Sequence, residues 1–153
     1  MIDEQRLVSS FLALARIDSL SGQEQGVGER VAAALRDLGA EVERDEVGNA
    51  LGRLSGRGEP LLLNAHLDTV GPVGGIEPVL ADGVIRSDGR TILGADDKAG
   101  VAIILEVVRA AMEHGVPLPP LDLLFTVQEE IGLRGARAFD MSRLRAREGI
   151  GLD

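Results

Sequence analysis

The run "LLLNAH", residues 61–66, decides the fold. It is apolar without alternation, the habit of a strand covered on both faces in a parallel sheet. It ends on His66, with Asp68 two residues further on. A second such run, "LDLLFTV" at 121–127, stops just before Glu129 and Glu130. Between the two, "LGADDKAG" at 93–100 leads into a helix predicted over 97–114, with Val101, Ile104, Leu105 and Val108 on its buried face. Gly115 and Pro117 end it. "GIGLD" at 149–153 reads as a last strand.

The upstream half fits the same frame. Residues 3–16 form an amphipathic helix with Leu7, Phe11, Leu14 and Ala15 inward. "SGQE" at 21–24 reads as a capping box before a helix carrying Val27, Val31, Leu35 and Leu38, which Gly39 closes. "AEVERDEV" at 40–47 and "NALGRLSG" at 49–56 read as strands. "VLADGVIRS" at 79–87 reads as a hairpin turning at Asp82-Gly83. "GLRGARAF" at 132–139 suggests a short helix. Helices alternating with buried strands give an α/β class, a mostly parallel mixed sheet flanked by helices.

Composition narrows the chemistry. The length of 153 residues suits one domain, and 44% apolar with 27% charged residues is globular composition. Three Phe are the only aromatics and the net charge is −9, which together disfavour a nucleic-acid partner. There is no cysteine, so a metal would have to sit on histidine and carboxylates. The N-terminus lacks a signal-peptide pattern and no run is long enough for a membrane span, so a cytoplasmic location is expected. Lys98 is the only lysine among sixteen basic residues.

In α/β sheets, ligands bind beyond the carboxyl ends of the strands. Seven ionisable residues fall there: His66, Asp68, Asp96, Asp97, Glu129, Glu130 and Asp153. Each alone has a bland reading, such as a helix cap for Asp96 or Asp97. Together they would repel unless protonated or bridged by cations. One imidazole with several carboxylates suits Zn²⁺, Mn²⁺ or Co²⁺, and a pair of ions better than one. Adjacent acids on an extended chain point to opposite sides, so Glu129 and Glu130 can hold different jobs. Asp68 lies on the same side as His66 and can accept a hydrogen bond from its ring.

"HLDTV" at 66–70, "LGADDKAG" and "EEIGLRGA" at 129–136 occur in an order and spacing that resemble the co-catalytic di-zinc exopeptidases related to peptidase T, aminoacylase, acetylornithine deacetylase and succinyl-diaminopimelate desuccinylase. "DGRTILGADDKAG" at 88–100 is most similar to the peptidase T branch, whose members are tripeptide aminopeptidases. "TVQEEIGLRGA" at 126–136 is also similar to glutamyl and leucyl aminopeptidases of a neighbouring family. The resemblance implies a phosphorylase/hydrolase-like catalytic domain with two divalent cations, Zn²⁺ first and Mn²⁺ or Co²⁺ as alternatives. It implies His66, Asp96, Glu130 and Asp153 as metal ligands, with Asp96 bridging and Glu130 opposite His66. It implies Glu129 as general base on a metal-bridging water, Asp68 as the residue orienting His66, and a cis Asp96–Asp97 peptide. Asp97 is expected to cap or brace the helix, and Lys98 to screen the carboxylates or pair with an acid behind them.

The same resemblance implies that residues 1–153 are the N-terminal portion of the catalytic domain. A lid and dimerisation domain, and a last histidine ligand, would lie outside them. The segment alone is then expected to be inactive and to bind metal weakly, and its full-length parent to be a homodimer acting on short peptides. His114, the other histidine, suits a helix C-terminus. The competing readings are an N-acyl amino acid deacylase or desuccinylase, a carboxypeptidase, and a non-catalytic metal-binding module. A two-metal phosphohydrolase ranks below these, for want of a phosphate-cradling loop.

Overall fold

A computed structural model describes all of residues 1–153. Helix α1 spans Glu4–Ala15, α2 Gln25–Asp37, α3 Ala95–Glu113 and α4 Arg134–Ala138. Strands β1 Glu41–Arg44, β2 Ala50–Leu54, β3 Leu61–His66, β6 Leu121–Thr126 and β7 Glu148–Gly151 form one sheet in the order β1-β2-β6-β3-β7. Strands β4 Val79–Ala81 and β5 Val84–Arg86 make the separate hairpin, turning at Asp82 and Gly83, both at positive φ. Strand β2 runs against its neighbours β1 and β6, while β3 is parallel to both β6 and β7. Four of the five strands therefore point the same way, and the class is the mixed, mostly parallel α/β architecture read from the sequence.

Alternation along the strands sorts the core. Ala50 and Leu54 of β2 and Leu121, Leu123 and Phe125 of β6 join α1, α2 and α3 in one buried cluster. Leu51 and Leu124 point the other way, against Phe139 at the end of α4. Every residue of β6 is buried. Strand β3 departs from the expectation of full cover: Leu61–Asn64 are half-buried and only Ala65 and His66 are buried. The reason is its outer neighbour, since β7 is an edge strand exposed along its whole length. No helix is long and apolar enough to cross a membrane.

Two helix starts differ from the local pattern. Ser21 does not cap α2; its hydroxyl donates to Asp68, and Glu24 makes no side-chain capping bond. Tertiary acceptors outcompete the local box. Within α3, Asp96 and Asp97 are not helical, and their peptide is cis, as the resemblance implies. Regular helix begins at Lys98. Asp97 Oδ1 accepts the Gly100 N–H at 3.0 Å, which is the N-cap bond to the third helical residue. At the far end, His114 is the helix C-cap and its Nε2 lies 3.1 Å from the Met1 carbonyl, the structural role expected of it.

Candidate metal centre

The parallel strands β3 and β6 end side by side, with His66 in register with Thr126. That register puts the residues after β6 next to the residues after β3. The start of α3 and the end of β7 close the same edge. His66 is the centre of the result. Its Nε2 lies 3.0 Å from Asp96 Oδ1 and 3.5 Å from Asp153 Oδ1. Its Nδ1 lies 3.4 Å from Asp68 Oδ1. The donor atoms of His66, Asp96 and Asp153 all fall within 4.8 Å of one another, and so do those of His66, Glu129 and Glu130.

Behind the imidazole, Asp68 is fully buried. Its Oδ1 accepts the Glu129 N–H at 2.8 Å, and its Oδ2 accepts the Glu130 N–H at 3.1 Å and the Ser21 hydroxyl at 2.6 Å. Burial opposes the charge on Asp68, but His66, Ser21 and the two N–H groups outweigh it and hold its pKa at about 2. Burial likewise opposes a charged His66, yet Asp68 and Asp96 lift its pKa to about 9. Burial, then Asp96, push the Glu130 carboxyl up. Burial also raises Asp97, to about 6, against the His66 and Gly100 N–H groups that favour its charge.

These are the marks of a cluster with too much negative charge for its protons. The fit to divalent cations rests on three features. Hard carboxylate donors gather around one borderline imidazole donor. The His66 Nδ1 lies against Asp68, which turns Nε2 towards Asp96 and Asp153. The ring is held charged by carboxylates that a cation would neutralise in its place.

The structure brings together all seven residues named at the strand ends, and changes two expectations. Glu129 and Glu130 do not point to opposite sides: both side chains reach the same imidazole. They lie on a turn, not an extended strand, because Gln128 is left-handed (φ 54°) and the Glu129 carbonyl accepts the Gly132 and Leu133 N–H groups. Lys98 is not among the carboxylates. It is fully buried, its Nζ donates to the Ile17 carbonyl at 2.5 Å, and burial lowers its pKa to about 8, partly countered by Asp18. Asp97 offers its carboxylate to the His66 and Gly100 N–H groups and stays outside both donor groups.

Sequence reasoning also missed Ser21, Glu24 and Asn49. Asn49 is buried, accepts the Val127 N–H at 3.0 Å and donates to the Gly135 carbonyl at 2.9 Å, bracketing the Glu129–Glu130 turn. No local pattern signals such partners. A polar residue opening an apolar strand, as Asn49 does in "NALGRL", is the one available hint.

Comparison with known proteins gives a consistent picture. The sequence profile of peptidase family M28 matches residues 49–149. The crystal structure of aminopeptidase PepT from Bacillus cereus ATCC 10987 superposes with a TM-score of 0.96 at 38% identity, over 99% of this chain and 44% of that one. A tripeptidase from Staphylococcus aureus subsp. aureus Mu50 superposes with a TM-score of 0.95 at 38% identity, over 100% of this chain and 44% of that one. Carboxypeptidase G2 from Pseudomonas sp. (strain RS-16) is 36% identical over 150 residues, covering 88% of this chain and 35% of the relative. The chain thus spans less than half the length of these relatives.

Proposed function

We propose a function from the premise that this chain belongs to peptidase family M28, within the peptidase T-like branch of the co-catalytic zinc exopeptidases. The function is metal-dependent hydrolysis of a terminal peptide bond in short peptides, with tripeptides cleaved at the amino end as the first candidate substrates. Residues 1–153 form the N-terminal portion of the catalytic domain. The final histidine ligand, the lid and the dimer contacts come from elsewhere in a cytoplasmic parent protein. The observation that carries this reading is the convergence of Asp96, Asp153, Glu129 and Glu130 on His66, with Asp68 behind the ring.

In this reading His66, Asp96 and Asp153 hold one divalent cation, and Asp96 with Glu130 a second, Zn²⁺ before Mn²⁺ or Co²⁺. Bound there, such cations lower the pKa of water towards neutrality and polarise a carbonyl oxygen. Asp68 holds the His66 ring through Nδ1, leaving Nε2 to face the acids. Glu129 is half-buried and makes no side-chain hydrogen bond of its own, so its carboxylate is free to accept a proton. It takes that proton from the attacking water and returns it to the departing amine. A non-catalytic metal site has no use for such an acid beside its ligands.

The test is a substrate panel on the complete gene product, with and without chelator. Tripeptides with a free amino terminus should be hydrolysed, activity should vanish with chelator, and Zn²⁺ should restore it. Chelator-insensitive turnover would refute the reading. A second reading, removal of the carboxyl-terminal residue, is favoured by the similarity to carboxypeptidase G2. Amino-blocked substrates separate the two: an aminopeptidase leaves them intact, whereas a carboxypeptidase or deacylase cleaves them.

A further inference from the structure

The loop Ile17–Glu24 joins α1 to α2, yet its bonds go mainly to the segments that carry the candidate metal centre. Lys98 Nζ donates to the Ile17 carbonyl at 2.5 Å, and the Thr69 N–H donates to the Ser19 carbonyl at 2.9 Å. Leu20 makes a parallel bridge with Thr69. Ser21 Oγ donates to Asp68 Oδ2 at 2.6 Å. Glu24 Oε1 accepts the Gln128 N–H at 2.9 Å and, from within the loop, the Gly22 N–H at 2.9 Å. The loop thus touches the start of α3, the segment after β3 and the segment after β6.

Two of these bonds act on the acids. Asp68 has four partners: Ser21, the Glu129 and Glu130 N–H groups, and the His66 ring. A hydroxyl has one proton to give, and Ser21 gives it here. Without it, Oδ2 keeps only the longer bond to Glu130, and the carboxylate is freer to turn about its own axis. Glu24, 5% exposed, caps the N–H of Gln128. Gln128 is left-handed, a conformation that side chains other than glycine's disfavour. Glu24 supports the conformation that delivers both acids to His66.

We propose that the loop Ile17–Glu24 positions the candidate metal centre, with Ser21 acting through Asp68 on His66 and the Glu129–Glu130 peptide, and Glu24 acting through Gln128. Ser21 and Glu24 are positioning residues, acting through Asp68 and Gln128. The proposal rests on the reading of Glu129 as general base and His66 as metal ligand.

The experiment compares Ser21→Ala, Ser21→Thr, Glu24→Leu and Glu24→Gln with the unaltered complete gene product. It measures kcat and KM on a tripeptide, Zn²⁺ affinity by chelator competition, and Tm. Ser21→Ala should lower kcat and weaken Zn²⁺ binding by about 10- to 100-fold, with KM little changed. Ser21→Thr, which keeps the hydroxyl, should recover most of both. Glu24→Leu should lower kcat to a similar degree, and Glu24→Gln, which keeps a carbonyl oxygen, should lose much less. Unchanged kcat and Zn²⁺ affinity in Ser21→Ala and Glu24→Leu would overturn the proposal, whatever happens to Tm. If Glu129→Gln were inactive in that same outcome, the functional reading would stand while the loop's role fell. If instead Glu129→Gln stayed active, the base assignment would fall, and Zn²⁺ affinity in Ser21→Ala would still decide the loop's action on His66.

Discussion

The backbone N–H of His66 donates to Asp97 Oδ2 at 3.2 Å, so the ligand-bearing end of β3 is tied to the cap of α3. The other oxygen of Asp97 accepts the Gly100 N–H. One carboxylate therefore fixes the strand end and the helix start together. Asp97→Ala removes the cap and leaves a buried N–H unpaired, and should destabilise the protein by about 2–4 kcal/mol in denaturant unfolding. A Cβ at Gly100 would collide with the same carboxylate. Gly100→Ala should therefore also destabilise, and the double variant should lose less than the two losses added.

Metal affinity should depend on pH through His66. In the metal-free protein Asp68 and Asp96 overcome burial and lift the ring to about 9, so a cation must displace its proton. Apparent affinity should rise by about tenfold per pH unit between about pH 7 and 8.5 and level off above 9. Calorimetric titration in buffers of different ionisation enthalpy should show that proton released. The sign for stability is opposite. A pKa raised on folding stabilises the metal-free protein below the unfolded value near 6.5, and that contribution is lost as pH rises through 9.

Lys98 should matter through packing. It is completely buried, with one carbonyl partner at Ile17. Arg would bring a larger, planar guanidinium into this closed site, and Lys98→Arg should destabilise by about 1–3 kcal/mol. Denaturant unfolding would measure it, and an unchanged midpoint would contradict the burial.

Asn49 braces the turn that carries the acids. Asn49→Ala leaves the Val127 N–H and the Gly135 carbonyl without their side-chain partner. Stability should fall by about 2–4 kcal/mol, and amide exchange between residues 127 and 135 should speed up more than in β3.

Much of this was legible in the sequence because it is periodic or local. The apolar runs that became β3 and β6, the Asp82-Gly83 turn and the buried face of α3 are of that kind. So is the set of acids at the strand ends, since strand direction alone places them on one edge. What escaped was decided by partners distant in sequence. "SGQE" has the letters of a capping box, but Ser21 finds Asp68 and Glu24 finds Gln128. Lys98 sits beside two aspartates in sequence, yet its side chain runs back to Ile17. Glu129 and Glu130 would diverge on a strand and converge here because Gln128 turns the chain. The exposure of β7 depends on what lies over it, which its own residues do not encode.

The role of Glu129 is the centre of the account, and Glu129→Gln in the complete gene product tests it most directly. The change keeps size and hydrogen-bonding capacity while removing the proton acceptor. Bound Zn²⁺ should stay at the wild-type level, and kcat on a tripeptide should fall by about 10²- to 10⁴-fold. Wild-type kcat in that variant, with metal still bound, would contradict the account.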